Sequence, residues 1–268
     1  MHWKREIEVL TPLFNRGAYQ DTPELRVPSI RGMVRWWFRA LGGTADEEKE
    51  AFGGMKRFGQ RLAGTVHASN LVFRITSATT RRASPNPATL PHKSGGLASP
   101  QAAFAPNAKF RLEVFTRLGS LRHDLQPRVE HALEVWALLG SLGLRANRGG
   151  GSLWPEESPA TAADFKKRLA ELKCSWPVYL AGIEIGDSAL KLQVAATDTV
   201  PEPQWVFGSA RGGRLASPLK LKVVRIDGRL RLLITAPDER TIAAAKEALF
   251  RKPIPALSLP ATWTRISP

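Results

Sequence analysis

The segment that most constrains the fold is ELRVPSIRGMVRWWFRAL, residues 24–41, because a single helix explains both its apolar and its basic residues. If the helix begins at Ile30, five apolar side chains occupy the i, i+3, i+4, i+7 and i+11 positions of one stripe: Ile30, Met33, Val34, Trp37 and Leu41. Arg31, Arg35 and Arg39 recur at intervals of four residues along a separate stripe. The sequence therefore predicts a helix with one face in a core and fixed positive charge on another.

The start of this helix suggests a site for an anion. Ser29 is the expected N-cap, and Pro28 favours an extended chain before it. Gly32 would then stand at position N3, where it cannot supply the acidic or amide side chain of a capping box. The first-turn amides are expected to stay open beside Arg26 and Arg31, an arrangement that favours phosphate. The alternative is an ordinary core helix whose arginine face contacts only water.

The net charge of +15 and the eight tryptophans narrow the class of partner. A pI near 10.6 with this many aromatic side chains favours nucleic acid, because cations neutralise phosphates and aromatic rings stack on bases. A membrane surface is the weaker interpretation, since the basic residues are spread through the chain and do not gather on one amphipathic tail. No apolar run approaches the roughly 20 residues that span a bilayer.

Cysteine and histidine usage indicates a reducing compartment and no metal. Cys174 is the single cysteine, so no intrachain disulfide can form. The five histidines show no zinc-ligand spacing, and neither a metal nor a cofactor is predicted. The first residues lack the apolar core of a signal peptide. We expect a cytoplasmic protein.

Alternation of apolar and polar residues predicts strands over residues 4–13, 70–79, 109–118, 178–185 and 189–195. Helical periodicity predicts further helices that begin at Pro127, Asp164 and Glu239. Asp227-Gly228 favours a type I′ turn and so predicts a hairpin of residues 219–226 and 229–235. Residues 80–107 contain five prolines and no periodic pattern, which predicts a long irregular insertion.

This succession of strands and helices predicts the α+β class. The most economical arrangement is two tandem ferredoxin-like (RRM-like) domains with long loop insertions. The predicted N-terminal domain covers residues 1–160, and the predicted C-terminal domain covers residues 161–268.

Two glycine-rich segments contain arginines. Residues 143–151 include Arg145 and Arg148, and residues 208–214 include Arg211 and Arg214. Glycines let backbone amides approach a phosphate closely, and the arginines neutralise it. Neither segment has the Gly-Lys-Ser/Thr of a Walker loop, and a flexible basic turn is the alternative for each. The residues predicted to bind RNA are Arg26, Ser29, Arg31, Arg35, Arg39, Arg145, Asn147, Arg148, Gly149, Ser209, Arg211 and Arg214.

Catalytic patterns are sparse, and no catalytic residue is predicted. Asp21 is the one carboxylate near the proposed phosphate site, where capping or an ion pair is the more ordinary role. His67 and His123 are the candidates for a general base in RNA cleavage, although solvated or core histidines are commoner. Trp36 and Trp154 are the candidates for stacking on a base.

Three blocks of the sequence resemble a known family. LTPLF at residues 10–14, ELRVPSIRG at residues 24–32 and RWWFRAL at residues 35–41 resemble the N-terminal signature of the RAMP superfamily of CRISPR proteins. Within it, they are similar to the first-numbered subunit of type III-B (Cmr) effector complexes. Residues 143–153 resemble the glycine-rich loop of the family, and residues 207–218 resemble its C-terminal segment.

The resemblance implies two ferredoxin-like domains and a role in antiviral defence. It implies a non-catalytic subunit that contacts the 3′ part of the guide RNA, or the target RNA paired to it, beside other RAMP subunits. In such complexes the repeated backbone subunit slices the target with an aspartate in the loop before its first helix, and Asp21 lies in a comparable loop. Two alternatives stay open: a metal-independent endoribonuclease of the same superfamily that processes guide RNA, and a stand-alone RNA-binding protein or chaperone.

Overall fold

Two four-stranded antiparallel sheets dominate the part of the chain that the structure describes. The computed structural model describes residues 1–55, 66–117, 121–182, 188–198, 203–209, 215–251 and 262–267. The first half contains β1 (His2–Val9), α1 (Val27–Ala40), α2 (Ala45–Phe52), β2 (Gly54–Met55), β3 (Val66–His67), β4 (Leu71–Thr79), β5 (Ala108–Thr116), α3 (Gln126–Leu139) and β6 (Leu153–Pro155). The second half contains α4 (Ala162–Glu171), β7 (Val178–Ala181), α5 (Ala189–Thr197), α6 (Gln204–Phe207), β8 (Lys220–Ile226), β9 (Arg229–Thr235), α7 (Glu239–Arg251) and β10 (Trp263–Arg265).

The strand orders of the two sheets are equivalent. They are β4-β5-β1-β6 and β10-β7-β9-β8, so each sheet places its first strand between its third and its fourth. Each sheet also has helices between its first and second strands and between its third and fourth. This is the β-α-β-β-α-β arrangement, and it confirms the predicted α+β class with two tandem ferredoxin-like domains. The sheets use strands between His2 and Pro155 and between Val178 and Arg265, and the boundary after residue 160 stays a prediction.

Helix α1 packs against α3 and buries three residues of the predicted apolar stripe, Ile30, Val34 and Trp37. The other two, Met33 and Leu41, are half-buried. Trp37 is fully buried, and its ring centre lies 4.8 Å from that of Trp176 in the second half of the chain. The helix begins one turn earlier than predicted, with Arg26 as its N-cap and Pro28 in its first turn. Proline is well tolerated there, because its fixed φ angle suits a first turn whose amides lack helical partners.

The insertion at residues 80–107 is irregular, as predicted, but it packs against both halves of the chain. Leu13 and Phe104 exchange backbone hydrogen bonds of 3.1 and 3.0 Å, which fixes the end of the insertion beside the segment after β1. His92 Nδ1 lies 3.1 Å from Thr197 Oγ1 at the end of α5. The insertion therefore belongs to the folded core of the molecule and connects its two ferredoxin-like units.

One predicted element of the second half differs from the structure, and another is confirmed. Residues 189–195 were predicted to form a strand, but they belong to helix α5, which Ser188 caps by accepting a hydrogen bond from the amide of Lys191. Leu192, Ala195 and Ala196 are buried at i, i+3 and i+4 spacing, and the helix-favouring alanines agree with this. The hairpin at Asp227-Gly228 is confirmed, since both turn residues have the positive φ angles of a type I′ turn.

The outer face of the first sheet carries paired charges. Its ion pairs are Lys4–Glu113, Arg74–Glu113, Arg111–Glu6 and Lys109–Glu156. On the same face, Arg225 of β8 donates two hydrogen bonds of 2.7 and 2.8 Å to the carboxylate of Glu8 in β1. These hydrogen bonds lower the pKa of Glu8 below its ordinary value of 4.5. Burial acts in the opposite direction, and the positive charge of Arg225 adds to the lowering. The Glu8–Arg225 pair thus joins the two sheets.

We expect Arg225→Met to lower the free energy of unfolding at pH 7 by about 1–2 kcal/mol, because it removes a double hydrogen bond to a charged group that is only partly screened. The stabilisation by Glu8 is fully present above pH 4.5 and is lost as pH falls through its lowered folded pKa. Urea unfolding at pH 7 and pH 3.5 should therefore show the variant losing less stability on acidification than the wild type. Arg111→Met, at a more exposed pair of the same face, is the control and should differ little at either pH.

Candidate nucleic-acid interface

Three of the segments singled out in the sequence meet in one cleft of about 750 Å³. One wall is the face of α1 that contains Gly32, Trp36 and Arg39. The floor is the glycine-rich loop at residues 143–148, and the opposite wall is formed by residues 207, 216–218 and 220. We call this space the cleft. Its lining contains backbone, aromatic rings and cations, and none of the described residues that line it is a carboxylate.

The segment after β1 fixes the shape of the glycine-rich loop. The amide of Leu144 donates to the carbonyl of Phe14 over 2.8 Å, and the hydroxyl of Thr11 donates to the carbonyl of Gly149 over 2.6 Å. Gly143 has a φ angle of +84°, and a Cβ atom there would collide with the carbonyl of Phe14. A side chain at residue 143 is therefore excluded both by conformation and by space. The TPLF block and the glycine-rich loop are therefore in direct contact.

The same loop is also paired to the second half of the chain. The amide of Gly149 donates to the carbonyl of Leu221 over 2.8 Å, and the amide of Leu221 donates to the carbonyl of Asn147 over 3.2 Å. Ser217 completes the wall, because its hydroxyl donates to the carbonyls of Val206 and Leu219. The cleft is therefore built jointly by the two ferredoxin-like units.

Three cations at the floor of the cleft, Arg145, Arg148 and Lys220, define what we call the cation cluster. Lys220 is only 7% exposed, and its ammonium donates to Asn147 Oδ1 over 2.8 Å while lying 3.9 Å from the ring centre of Trp36. The guanidinium of Arg148 lies over the ring of Phe207 and donates through Nη2 to the carbonyl of the same residue over 2.7 Å. Arg148 Nη1 and Arg145 Nε are buried and have no hydrogen-bond partner among the described residues.

Burial of these positive charges shows in their pKa values. Burial, and next the charge of Arg148, lowers the pKa of Lys220 to about 8. Burial, and next the charge of Arg145, lowers the pKa of Arg148 to about 10, and burial lowers the pKa of Arg145 as well. Each group has lost water without gaining an opposite charge. An anion in the cleft would oppose these shifts.

The arginine stripe of α1 is divided between two roles. Arg35 and Arg39 both contact Glu48 Oε1 of α2, at 2.7 and 2.5 Å, so they already have an acidic partner. Arg39 nevertheless lines the cleft. Arg26 lies 3.8 Å from the carboxylate of Glu24, whereas the side chain of Arg31 contacts no partner that the structure describes.

The prediction of an anion site at the start of α1 is wrong in its details. Because the helix begins at Val27, Ser29 lies inside the first turn and does not cap it. The amides of Ser29 and Ile30 donate to the carbonyl of Arg26 over 3.1 and 3.2 Å, and Pro28 has no amide hydrogen. The row of open amides predicted after Ser29 is therefore not formed.

The second glycine-rich segment is described only in part. Ser209 and Leu215 exchange backbone hydrogen bonds of 3.0 and 2.9 Å. Arg211 and Arg214 lie outside the described residues.

Other candidate residues lie away from the cleft or have different partners. Trp154 is only 6% exposed and packs on Phe165, so the prediction that it stacks on a base is wrong. Trp36 does line the cleft, but Lys220 already covers one face of its ring. The exposed side chains of Asp21, His67 and His123 are not among the described residues that line the cleft.

Sequence reasoning missed Lys220 and Phe207 as parts of the site. A lysine at the start of an alternating strand normally faces water, and no local pattern distinguishes Lys220 from such a residue. Its burial follows from the docking of the glycine-rich loop on β8, which joins residues 73 positions apart along the chain. Lys222 is wholly buried on the same strand, but its ammonium donates to the carbonyls of Ala137 and Leu138 at the end of α3.

Comparison with known proteins agrees with this architecture. The model of the family described as "RAMPs: RAMP superfamily" matches residues 6–154, which include the TPLF block, α1 and the glycine-rich loop. The chain is 39% identical over 69 residues to the CRISPR system Cmr subunit Cmr1-2 of Pyrococcus furiosus, and 30% identical over 165 residues to Cmr1-1 of the same organism. These alignments cover 25% and 55% of this chain, but only 35% and 43% of the two relatives.

Solved structures share the fold. The crystal structure of Cmr1 from Pyrococcus furiosus in its apo form aligns with 88% of this chain and 87% of its own, with a TM-score of 0.59 and 20% identity. A chain of a type III-B Cmr-beta complex, solved by cryo-electron microscopy with cognate target RNA and AMPPnP, aligns with 92% of this chain and 98% of its own. The TM-score is 0.55 and the identity 10%, so this likeness concerns the fold. None of the described helices is long and apolar enough to cross a membrane.

Lys220 should make the stability of the protein depend on pH. Its folded pKa is about 8 and its ordinary value 10.5, so between these values the unfolded chain binds more protons and the free energy of unfolding rises with pH. Urea unfolding of the wild type and of Lys220→Met measures this effect. Between pH 7 and pH 10.5, the free energy of unfolding of the wild type should rise by about 3 kcal/mol relative to that of the variant. Lys191→Met, at an exposed lysine of α5, should show no comparable gain. Parallel curves for the wild type and Lys220→Met would mean that Lys220 is not buried as a cation.

Proposed function

The chain belongs to the RAMP superfamily, and from this membership we propose that it is an RNA-binding subunit of a type III CRISPR effector complex. In this role it contacts the 3′ part of the guide RNA, or the target RNA paired to it, beside other RAMP subunits. The support from relatives is that the matched curated proteins are named as Cmr subunits, and that a chain of similar fold comes from a Cmr complex bound to target RNA.

The observation that carries the proposal is the cleft itself. Three segments that are distant in sequence converge there, and they bring together Arg145, Arg148 and Lys220 without a carboxylate among the described lining residues. Two other half-buried arginines are paired with acids, Arg225 with Glu8 and Arg111 with Glu6. A cationic cleft with exposed loop backbone is suited to phosphate, which every nucleotide presents. Such binding is independent of base sequence, so recognition of sequence would be left to base pairing with the guide.

We assign the cleft to binding and not to RNA cleavage. The described residues that line it supply no histidine and no carboxylate that could act as a general base. His92 is the histidine whose pKa the charge of Arg145 affects, but its Nδ1 atom contacts Thr197 and burial is the main cause of its lowered pKa. The endoribonuclease alternative would require a histidine free to reach RNA in the cleft.

The proposal predicts that Arg148→Gln and Arg31→Ala each weaken the binding of single-stranded RNA. Each loss of a phosphate contact should also reduce the slope of log K against log salt concentration by about 0.7. Fluorescence anisotropy over a series of salt concentrations measures both effects. Gel analysis of the same mixtures would detect the RNA fragments that the endoribonuclease alternative predicts.

Arg229→Gln is the matched control, because it removes an arginine of the same strand pair at the opposite end of β8 from Lys220. At about 3.3 Å per residue, that end lies roughly 20 Å from the cation cluster. Its affinity and slope should match those of the wild type. Wild-type affinity and slope in both Arg148→Gln and Arg31→Ala would contradict the proposal, and Arg148→Lys tests whether the positive charge at position 148 is enough.

A further inference from the structure

No described carboxylate compensates the cation cluster, and its members have fewer hydrogen-bond acceptors than Lys222 or Arg225. Lys222, two residues away on β8, is wholly buried but donates to two carbonyls at the end of α3, where the helix dipole is negative. Arg225 has the carboxylate of Glu8. By contrast, Lys220 has a single amide oxygen, that of Asn147, as a hydrogen-bond acceptor.

Donors at the cluster are also left without acceptors. Arg148 Nη1 and Arg145 Nε are buried and make no hydrogen bond with any described residue. Arg39, the fourth cation of the lining, is compensated by Glu48 at 2.5 Å. Three positive charges therefore line the same cleft, and at least two buried N–H donors of these side chains are unsatisfied. Buried donors without partners are unfavourable unless a ligand supplies the acceptors.

The number of charges and donors distinguishes two kinds of phosphate. A phosphodiester within an RNA strand carries one negative charge and two free oxygens. A terminal phosphate monoester carries a charge of about −1.5 to −2 and offers three strong acceptor oxygens. Three cations therefore suit the monoester, with its higher charge and three acceptor oxygens, better than a singly charged phosphodiester.

We propose that the cation cluster binds a terminal phosphate monoester of an RNA strand, with Arg145, Arg148 and Lys220 as its cationic ligands. This inference rests on the proposed function of the cleft as an RNA site and specifies the chemical group at its floor. The volume of about 750 Å³ falls within the range of small-ligand sites and suits the end of a strand. Stacking of Lys220 on Trp36 and of Arg148 on Phe207 holds two of the ligands in position before RNA arrives.

The test compares three versions of one short single-stranded RNA, which end in a 3′-hydroxyl, a 3′-phosphate or a 5′-phosphate. Binding to the full chain is measured by fluorescence anisotropy at pH 7, where Lys220 is protonated. We expect one of the two phosphorylated RNAs to bind about tenfold more tightly than the unphosphorylated RNA, and the end that gains identifies the source of the phosphate. The advantage should fall below about twofold in Lys220→Met and in Arg148→Gln, and it should persist in Arg229→Gln. Circular dichroism and thermal melting confirm that each variant is folded, and Arg148→Lys replaces Arg148→Gln if the latter is not.

The remaining outcomes separate this inference from the proposed function. Equal binding of the three RNAs to the wild type, with weaker binding of all three to the cleft variants, would overturn the terminal-phosphate site. The proposal that RNA binds in the cleft would then still hold. A phosphate advantage that survives in both cleft variants would overturn the assignment to the cation cluster. Unchanged binding of every RNA to the cleft variants would overturn both.

Discussion

The backbone pairing between the glycine-rich loop and β8 is the contact on which the rest of the site depends. Through it, Asn147 and Gly149 of the first ferredoxin-like unit exchange hydrogen bonds with Leu221 of the second. The loop is held from the other side by the segment after β1, where Thr11 and Phe14 supply partners. A loop fixed on both sides can keep its arginines at the floor of a cleft instead of extending them into water.

This double attachment accounts for the electrostatics of the site. Docking the loop on β8 removes water from Lys220 and Arg148, and the pKa of each falls because no described carboxylate compensates for the loss. Such an arrangement destabilises the unliganded fold. A protein tolerates it where a bound ligand stabilises the buried charges. The charged outer face of the first sheet shows the opposite arrangement, since its cations are paired with acids and are less suited to phosphate.

Local patterns predicted the elements better than they predicted the site. The apolar stripe of α1 and the turn at Asp227-Gly228 depend on neighbouring residues, and both are present as expected. The stretch after Ser188 is short and apolar, so alternation and helical periodicity could not be told apart, and it forms a helix. Arg148 was predicted as a site residue because glycine and arginine occur together in the sequence. Lys220 was not predicted as a site residue, because its burial arises from pairing between distant parts of the chain.

The central claim is that guide-associated RNA lies in the cleft formed by α1, the glycine-rich loop and the start of β8. Ultraviolet crosslinking of the tagged chain in its host cells, with sequencing of the bound RNA and mapping of the crosslinked peptides, tests it most directly. The claim predicts guide RNA crosslinked to peptides that contain Trp36 or Phe207, with other RAMP-type subunits in the same complex. Unrelated cellular RNA without partner subunits, or crosslinks confined to the charged face of the first sheet, would contradict it.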